Sequence, residues 1–326
     1  MSKGEKAGTF LCKISKEIVN IIATIMVLLL LLYSVFSVWD IRQVHLIASS
    51  ANYTPFRPTE EDALSFEELQ AINPEVFAWL TVFGTNIDYP IVQGDEHDNL
   101  KYVNTNVFLE HSPSGAIFMD WKNALDFSDF KSVFYGHDME NDVKFGELRH
   151  YHDFEFFDAR RYGTLFFDGQ TKGLEFFAFL HTNAYDTKTF NVAVYEPDDK
   201  QIHLNNLLEL SIHIREDVDV TIEDRLLLLS TCSDLTTHGR DVLIARITDE
   251  VPDNPFYIED TDNRIMATVG ELPGVWTRLP MIMRIMLVAL PLLLIALMCV
   301  LIIKKKSKKQ KAILGIIFRD LAKEMN

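Results

Sequence analysis

Cysteine is scarce in this chain of 326 residues. There are three, and two of them, Cys12 and Cys299, lie beside or inside long apolar runs. Only Cys232 belongs to the stretch between those runs. A disulfide framework and a thiolate zinc site are thereby excluded for that stretch, since each needs at least a second sulfur. Histidines and carboxylates do not recur at ligand spacing, and no calcium-loop pattern occurs, so neither a metal nor another cofactor is expected. Also missing are a Gly-Lys-Ser/Thr phosphate loop, a Gly-x-Ser-x-Gly elbow and any internal repeat. Basic residues are in deficit, 31 Lys and Arg against 47 Asp and Glu, for a formal net charge of −16. The middle of the chain is more acidic still, because Lys-rich flanks hold much of the base. Such a surface is soluble and repels nucleic acid, which is excluded as a partner.

What is present begins with the two apolar runs. Ile18 to Trp39 carries no charge over 22 residues and Ile285 to Ile303 none over 19. Each is long enough to cross about 30 Å of hydrocarbon as a helix. Lys3, Lys6, Lys13 and Lys16 precede the first, and Lys304, Lys305, Lys306, Lys308, Lys309 and Lys311 follow the second. The positive-inside rule then places both termini in the cytoplasm and everything between the spans outside. A cleaved signal peptide is disfavoured, because the first run is over-long and no small-residue cleavage site follows Trp39. The expected organisation is a cytoplasmic N-terminus (1–17), a span (18–39), an extracellular stalk (40–63) and a folded exodomain (64–250). An extracellular linker (251–284), a second span (285–303) and a basic cytoplasmic tail (304–326) complete it. Within the tail, 312–325 alternates at helical spacing, as a helix on the inner membrane surface would.

Between the spans, strand patterns dominate. Val44 to Ala63, with Pro55 and Pro58, reads as irregular stalk, and Phe66 to Ile72 as a helix stopped by Asn73-Pro74. Ala78 to Val82 and Ile87 to Val92 read as strands around a Gly84 turn; Ala116 to Asp120 and Val133 to Tyr135 follow. Tyr162 to Phe167 and Leu174 to Leu180 flank Asp168-Gly169, a hairpin signal. From Ile202 through Leu204, Leu207, Leu208, Leu210, Ile212 and Ile214 the apolar spacing turns helical, and Asp198-Asp199 favours a helix start. A helix there would sit beside the strand carrying Cys232. Many short strands make the fold mainly β, a barrel or a sandwich.

The stretch from Leu226 to Ile247 concentrates the chemistry. Leu226 to Leu229 is an apolar run of buried-strand length, and Asp241 to Ile247 reads as a second strand. If they pair, Cys232 at the end of one and Arg240 at the start of the next lie about 5 Å apart. A thiol becomes a nucleophile only as thiolate, so it needs a base or a lowered pKa. His137 is the natural partner, because it ends the strand in Tyr-Gly-His-Asp-Met and Gly136 lets the backbone turn there. His150, His152, His181, His203, His213 and His238 read as surface or helix residues. Arg240 supplies a donor for the negative oxygen of a tetrahedral intermediate; its ordinary alternative is a surface ion pair with Asp234 or Asp241.

These residues resemble a known family. Leu229-Ser-Thr-Cys232 followed by Arg240 is similar to the Thr-Leu-x-Thr-Cys…Arg signature of sortases, the membrane-anchored cysteine transpeptidases of Gram-positive bacteria. The likeness runs over about 64–248. Ala116-Ile-Phe-Met-Asp120, Tyr135-Gly-His-Asp-Met139 with Phe145-Gly-Glu-Leu148, and the helix inserted before the Cys strand resemble class B in particular. The resemblance implies a closed eight-stranded barrel with N-terminal helices. It implies that Cys232 attacks the Thr-Gly or similar bond of a C-terminal sorting signal on a secreted protein, giving a thioester. His137 would act as acid and then base, and Arg240 would hold the oxyanion or orient the signal peptide. The acceptor would be an amine of a peptidoglycan precursor or a pilin lysine. Asp234, Ser230, Thr231, Asn99 and Val103 match substrate-groove positions.

Two departures stand out. Leu228 replaces the family's usual Thr, a change in a buried strand that leaves the chemistry alone. The second span with its Lys tail is unusual for class B and resembles pilin-polymerising sortases, yet Asn52 to Pro58 lacks their Asp-Pro-Phe/Trp lid. A non-catalytic sorting-signal-binding or assembly protein, and a hydrolytic cysteine protease, are the alternatives.

Overall fold

The computed structural model describes residues 3–58, 64–233 and 238–256. The expected second span and basic tail lie outside them. The described residues fall into two compact units, one up to residue 40 and one from residue 41 onward. In the first, α1 (Lys3–Ala48) runs on into the second unit and includes Ile18–Ala48, 31 residues long and apolar enough to cross a membrane.

The second unit is built on nine strands. They are β1 (Val76–Val82), β2 (Asp88–Gln93), β3 (Ile117–Met119), β4 (Lys131–Gly136) and β5 (Tyr162–Phe167), then β6 (Gln170–Asn183), β7 (Ser211–Ile214), β8 (Leu226–Ser233) and β9 (Gly239–Thr248). Their order is β5-β1-β2-β3-β4-β8-β9-β6-β7, and a further β5–β6 pairing joins the ends. Eight strands therefore close a barrel, and β7 hangs outside it on the second half of β6. Closure removes the exposed edges that an open sheet would offer for aggregation. The β5–β6 turn has Asp168 at φ 48° and Gly169 at φ 70°, the two left-handed residues of a tight hairpin whose twist matches its strands.

The four leucines of β8 explain why their run is unbroken. Leu227 and Leu229 belong to the core inside the barrel with Phe134, Phe179 and Leu243. Leu226 and Leu228 belong to a second core outside it, with Val133, Leu204, Leu207, Val242 and Ile244. After α2 (Leu64–Ile72) and α3 (Phe154–Ala159), two more helices follow, and that outer core is roofed by α5 (Pro197–Leu210), with α4 (Thr187–Phe190) beside it. A strand covered on both faces loses its polar alternation. β6 follows the same logic, with a bulge between Phe176 and Ala178 in its pairing to β9 that turns Phe177 to the outer core.

Three expectations change. From Val44 to Pro58 the segment is not an irregular stalk: α1 continues to Ala48, short 3-10 turns cover Ser50–Asn52 and Thr54–Phe56, and Tyr53 is 1% exposed in the barrel core. Large aromatics there gain more by burial than an extended linker would. Ile212 and Ile214 are not helical, because α5 stops at Leu210 and β7 takes them to extend β6. His181 and His213 are strand residues, in β6 and β7, rather than surface or helix residues. At the other end, Phe256 packs against Gly84, whose positive φ of 74° makes the β1–β2 turn.

Burial of β8 on both sides is testable by truncation. Leu227→Ala and Leu228→Ala should each destabilise the protein by about 2–5 kcal/mol, as buried leucines do. Denaturant midpoints at unchanged slope measure it. A cost confined to one of the two would mean that one face of β8 is open.

Candidate active site

The rim at the ends of β4, β8 and β9 is set by strand register. β4 and β8 run parallel with Tyr135 beside Ser230 and Gly136 beside Thr231, so continuing that ladder one step brings His137 level with Cys232. β8 and β9 run antiparallel with Cys232 opposite Arg240, which puts the two positions on one face of the sheet. Cys232 thus lies inside the extended end of β8, three residues beyond the leucine run. Asp234 falls outside the described residues.

His137 is held from behind. Its Nε2 is 2.8 Å from the Val103 carbonyl oxygen. A carbonyl only accepts, so Nε2 carries hydrogen and Nδ1 is the nitrogen left to gain or lose a proton. Val103 ends a 3-10 turn, Lys101–Val103, anchored through Tyr102. The Tyr102 hydroxyl meets Glu75 and accepts from Asn73, and the Tyr102 carbonyl accepts from Ala116 at 2.9 Å. Gly115, at φ 54°, has no room for a side chain: a Cβ would stand 2.3 Å from the Tyr102 oxygen and 2.6 Å from that of Val103.

The loop after His137 is equally tight. Phe145 donates its backbone N–H to the His137 carbonyl at 3.1 Å, and its ring lies 2.7 Å from where a Gly136 Cβ would be. Arg149 pairs with Asp138 and donates to the Met139 carbonyl. Lys144, in the same loop, is fully buried between the rings of Tyr53 and Tyr89, 4.9 and 4.6 Å from their centroids. Burial lowers its pKa to about 7, so the segment expected as stalk braces the loop that carries His137.

Between these walls lies a groove of about 390 Å³, whose lining includes Asn99, Leu100, Val103, Phe118, Asp120, Trp121, Tyr135, His137, Phe190, Ser230, Thr231 and Arg240. The wall is aromatic: Tyr135 packs against Phe118 and Phe190, with ring centroids 5.5 and 6.3 Å apart. Burial, and then Asp120, pushes the Tyr135 phenol above its usual range, so it stays neutral. On the floor, Ser230 Oγ and Thr231 Oγ1 are buried with no hydrogen-bond partner among the described residues, and both residues line the groove, Ser230 on the face of Leu228 and Thr231 on that of Leu229. Arg240 is half-buried and donates from Nη1 to the Gly239 carbonyl at 2.9 Å. Of the two carboxylates that could pair with it on the surface, Asp241 is engaged by His152 and His181 instead, and Asp234 lies outside the described residues.

The inserted helix reaches the groove differently from the expectation. α5 packs behind the outer core, and it is Phe190 of α4 that forms the wall. α4 is fixed by an Asp186 N-cap and by the buried Lys131 of β4, whose Nζ donates to the Thr189 carbonyl at 2.8 Å. Of the residues expected at the site, Asn99, Val103, His137, Ser230, Thr231 and Arg240 come together around this groove, with Cys232 level with them in the ladder. Leu100, Phe118, Trp121, Tyr135 and Phe190 were not singled out by sequence; Phe118 and Tyr135 stand inside the two quoted strand motifs, whereas nothing local marks Phe190.

Comparison with known proteins agrees with this picture. No family model matches the chain. Sortase B of Staphylococcus aureus is 32% identical over 188 residues, covering 56% of this chain and 74% of the relative. Sortase B of Listeria monocytogenes is 32% identical over 167 residues, 51% and 65% of the two chains. Among solved structures, Clostridium perfringens sortase B superposes with a TM-score of 0.53 at 35% identity, over 56% of this chain and all of that one. A Staphylococcus aureus sortase B–substrate complex gives 0.52 at 28% identity, over 64% and 94%. Barrel and relatives together define a sortase-type cysteine transpeptidase, one that anchors proteins or assembles pili. More narrowly, the chain belongs to the class B sortases.

Positioning of His137 is testable through the glycine before it. Gly136→Ala forces a methyl into the Phe145 ring and should cost about 1–3 kcal/mol, as overpacking does, while slowing turnover by moving His137. Adding Phe145→Leu should recover part of both. Unchanged stability and rate in Gly136→Ala would refute the close packing.

Proposed function

We propose that Cys232, His137 and Arg240 carry out acyl transfer from a C-terminal sorting signal to an amine. The observation that carries this is the paired ladders, which set Cys232 opposite Arg240 and His137 at the end of the strand on the other side. The signal peptide lies in the groove, its apolar side chains against Phe118, Tyr135 and Phe190, its polar backbone groups meeting Ser230 Oγ, with Thr231 lining the floor beside it. Asn99, Val103 and Asp234 complete the binding rim.

The Cys232 thiolate attacks the carbonyl carbon of the Thr-Gly or similar bond. Negative charge moves to the carbonyl oxygen, and the Arg240 guanidinium stabilises it, a donor effect typically worth about 3–4 kcal/mol. As the intermediate collapses, the C–N bond breaks and the leaving amine takes a proton from His137 Nδ1; a thioester remains on sulfur. An incoming amine then gives its proton to the same nitrogen and attacks the thioester, which restores the thiolate and imidazolium. The Val103 carbonyl serves both halves by holding Nε2–H throughout.

The acceptor is an amine of a peptidoglycan precursor or a pilin lysine. α1 anchors the enzyme, the apolar run 285–303 adds a second span, and both Lys-flanked termini lie in the cytoplasm with the barrel outside. The acidic exodomain is then presented to secreted proteins emerging from the membrane.

The test uses the full chain in detergent with a panel of fluorogenic sorting-signal peptides, with and without amines. Cys232→Ala should abolish cleavage with the fold retained, and Arg240→Ala should lower kcat by about 10²–10³. Arg240→Lys should recover little, because a point charge does not reproduce the planar fork. Cleavage undiminished in Cys232→Ala would overturn the nucleophile; release without amine-dependent product would make the enzyme a hydrolase.

A further inference from the structure

Asp241 follows Arg240 directly, and successive residues of a strand face opposite sides. Its carboxylate is therefore turned away from Arg240, toward the inner end of the barrel, where it is 2% exposed. Opposite it on β6 is His181, whose Nδ1 is 2.8 Å from Asp241 Oδ1. From a third element, the 3-10 helix Gly146–His152, comes His152, with Nε2 at 3.1 Å from the same oxygen. The donor atoms of all three side chains lie within 4.8 Å of one another. The backbone at His152 is fixed as well: its carbonyl accepts from His213 Nε2 at 2.9 Å, and its ring stands edge-on to Phe179 at 5.0 Å.

We propose that His152, His181 and Asp241 form a binding site for a divalent transition-metal ion of the zinc type. Two imidazoles and one carboxylate are a three-ligand zinc set, with a fourth position for water, and they lack the many oxygens that calcium or magnesium requires. Ligands around a tetrahedral ion with bonds of about 2.1 Å stand about 3.4 Å apart. The His–Asp gaps are a few tenths of an ångström shorter, a difference that small ring movements absorb. Access is from the histidine side, since His152 and His181 keep 29% and 22% of their side chains exposed while Asp241 keeps 3%. In the metal-free protein both rings donate to one carboxylate oxygen; with the ion, the same atoms turn their lone pairs inward. The ion would tie β6 and β9 to the helix that follows the His137 loop, one residue from Arg240 along the chain. The site is separate from the groove and does not depend on the roles assigned there.

The experiment measures Zn²⁺ binding by calorimetry on the full chain without a histidine tag, after chelator treatment. Cys232→Ala serves as background so that the thiol offers no ligand. One ion per chain and a melting temperature that rises with Zn²⁺ are expected, because a ligand of the folded state stabilises it by mass action. His152→Ala with His181→Ala should abolish the binding and the shift. The milder His152→Gln, which keeps a donor to Asp241, should retain the circular dichroism spectrum and weaken binding by more than about tenfold, since loss of an outer partner alone costs that much. No binding by the background protein, or equal binding by His152→Gln, would show that the cluster is a hydrogen-bonded network alone.

Discussion

Everything at the rim depends on β8 being paired differently on its two sides. Toward β4 the pairing is parallel, so both strands end at the same rim and their last residues are level. Toward β9 it is antiparallel, so the end of β8 meets the start of β9. One strand end, one strand end and one strand start therefore meet without a long loop to order. A slip of a single residue in either ladder would turn a side chain to the opposite face. What fixes the register is burial: Leu226 and Leu228 belong outside the barrel and Leu227 and Leu229 inside, and α5 and the barrel core hold both sets.

Around that frame the supporting contacts share a pattern, in which a buried group from a distant segment fixes a backbone group near the groove. Gly115 lets the Tyr102–Val103 turn close against it, and the Val103 carbonyl then orients His137. Lys131 reaches from β4 to the carbonyls at the end of α4 and so sets the Phe190 wall. Its burial depresses its pKa to about 7 despite Asp186 nearby. The folded protein thus binds fewer protons than the unfolded chain between pH 7 and the usual lysine range, and stability rises with pH across that window. Lys144 adds a contribution of the same sign while joining Tyr53 to the loop after His137. Both lysines reduce stability near neutrality, Lys131 while holding the Phe190 wall and Lys144 while holding the loop after His137.

Most of the strands, and the strand ends that carry His137, Cys232 and Arg240, are legible in the sequence because they carry strong local signals. The leucine run, the Asp168-Gly169 hairpin and the strand-end glycine before His137 each follow from short-range physics. β7 was hidden because Ile212 and Ile214 continue the helical spacing of α5, and only pairing with β6 selects the strand. The Tyr53 segment was hidden because two prolines and a polar composition resemble a linker, and nothing local shows that the barrel has a place for its ring. Phe190 and the His152–His181–Asp241 cluster were invisible for a simpler reason: their partners lie far away along the chain, 60 and 89 residues in the case of the two histidines. Likeness to sortases supplied the closed barrel, which strand patterns alone left undecided between barrel and sandwich.

The register of β8 against β9 is the claim on which the account stands, and cross-linking measures it directly. Opposed residues of an antiparallel pair have Cα atoms about 4.5–5.5 Å apart, within the range that a disulfide spans. In the full chain with Cys12 and Cys299 replaced by serine, Arg240→Cys should give a disulfide to Cys232 under mild oxidation, identified by peptide mass. Free thiols that persist at both positions would contradict the register, and with it the meeting of thiol and guanidinium at one rim.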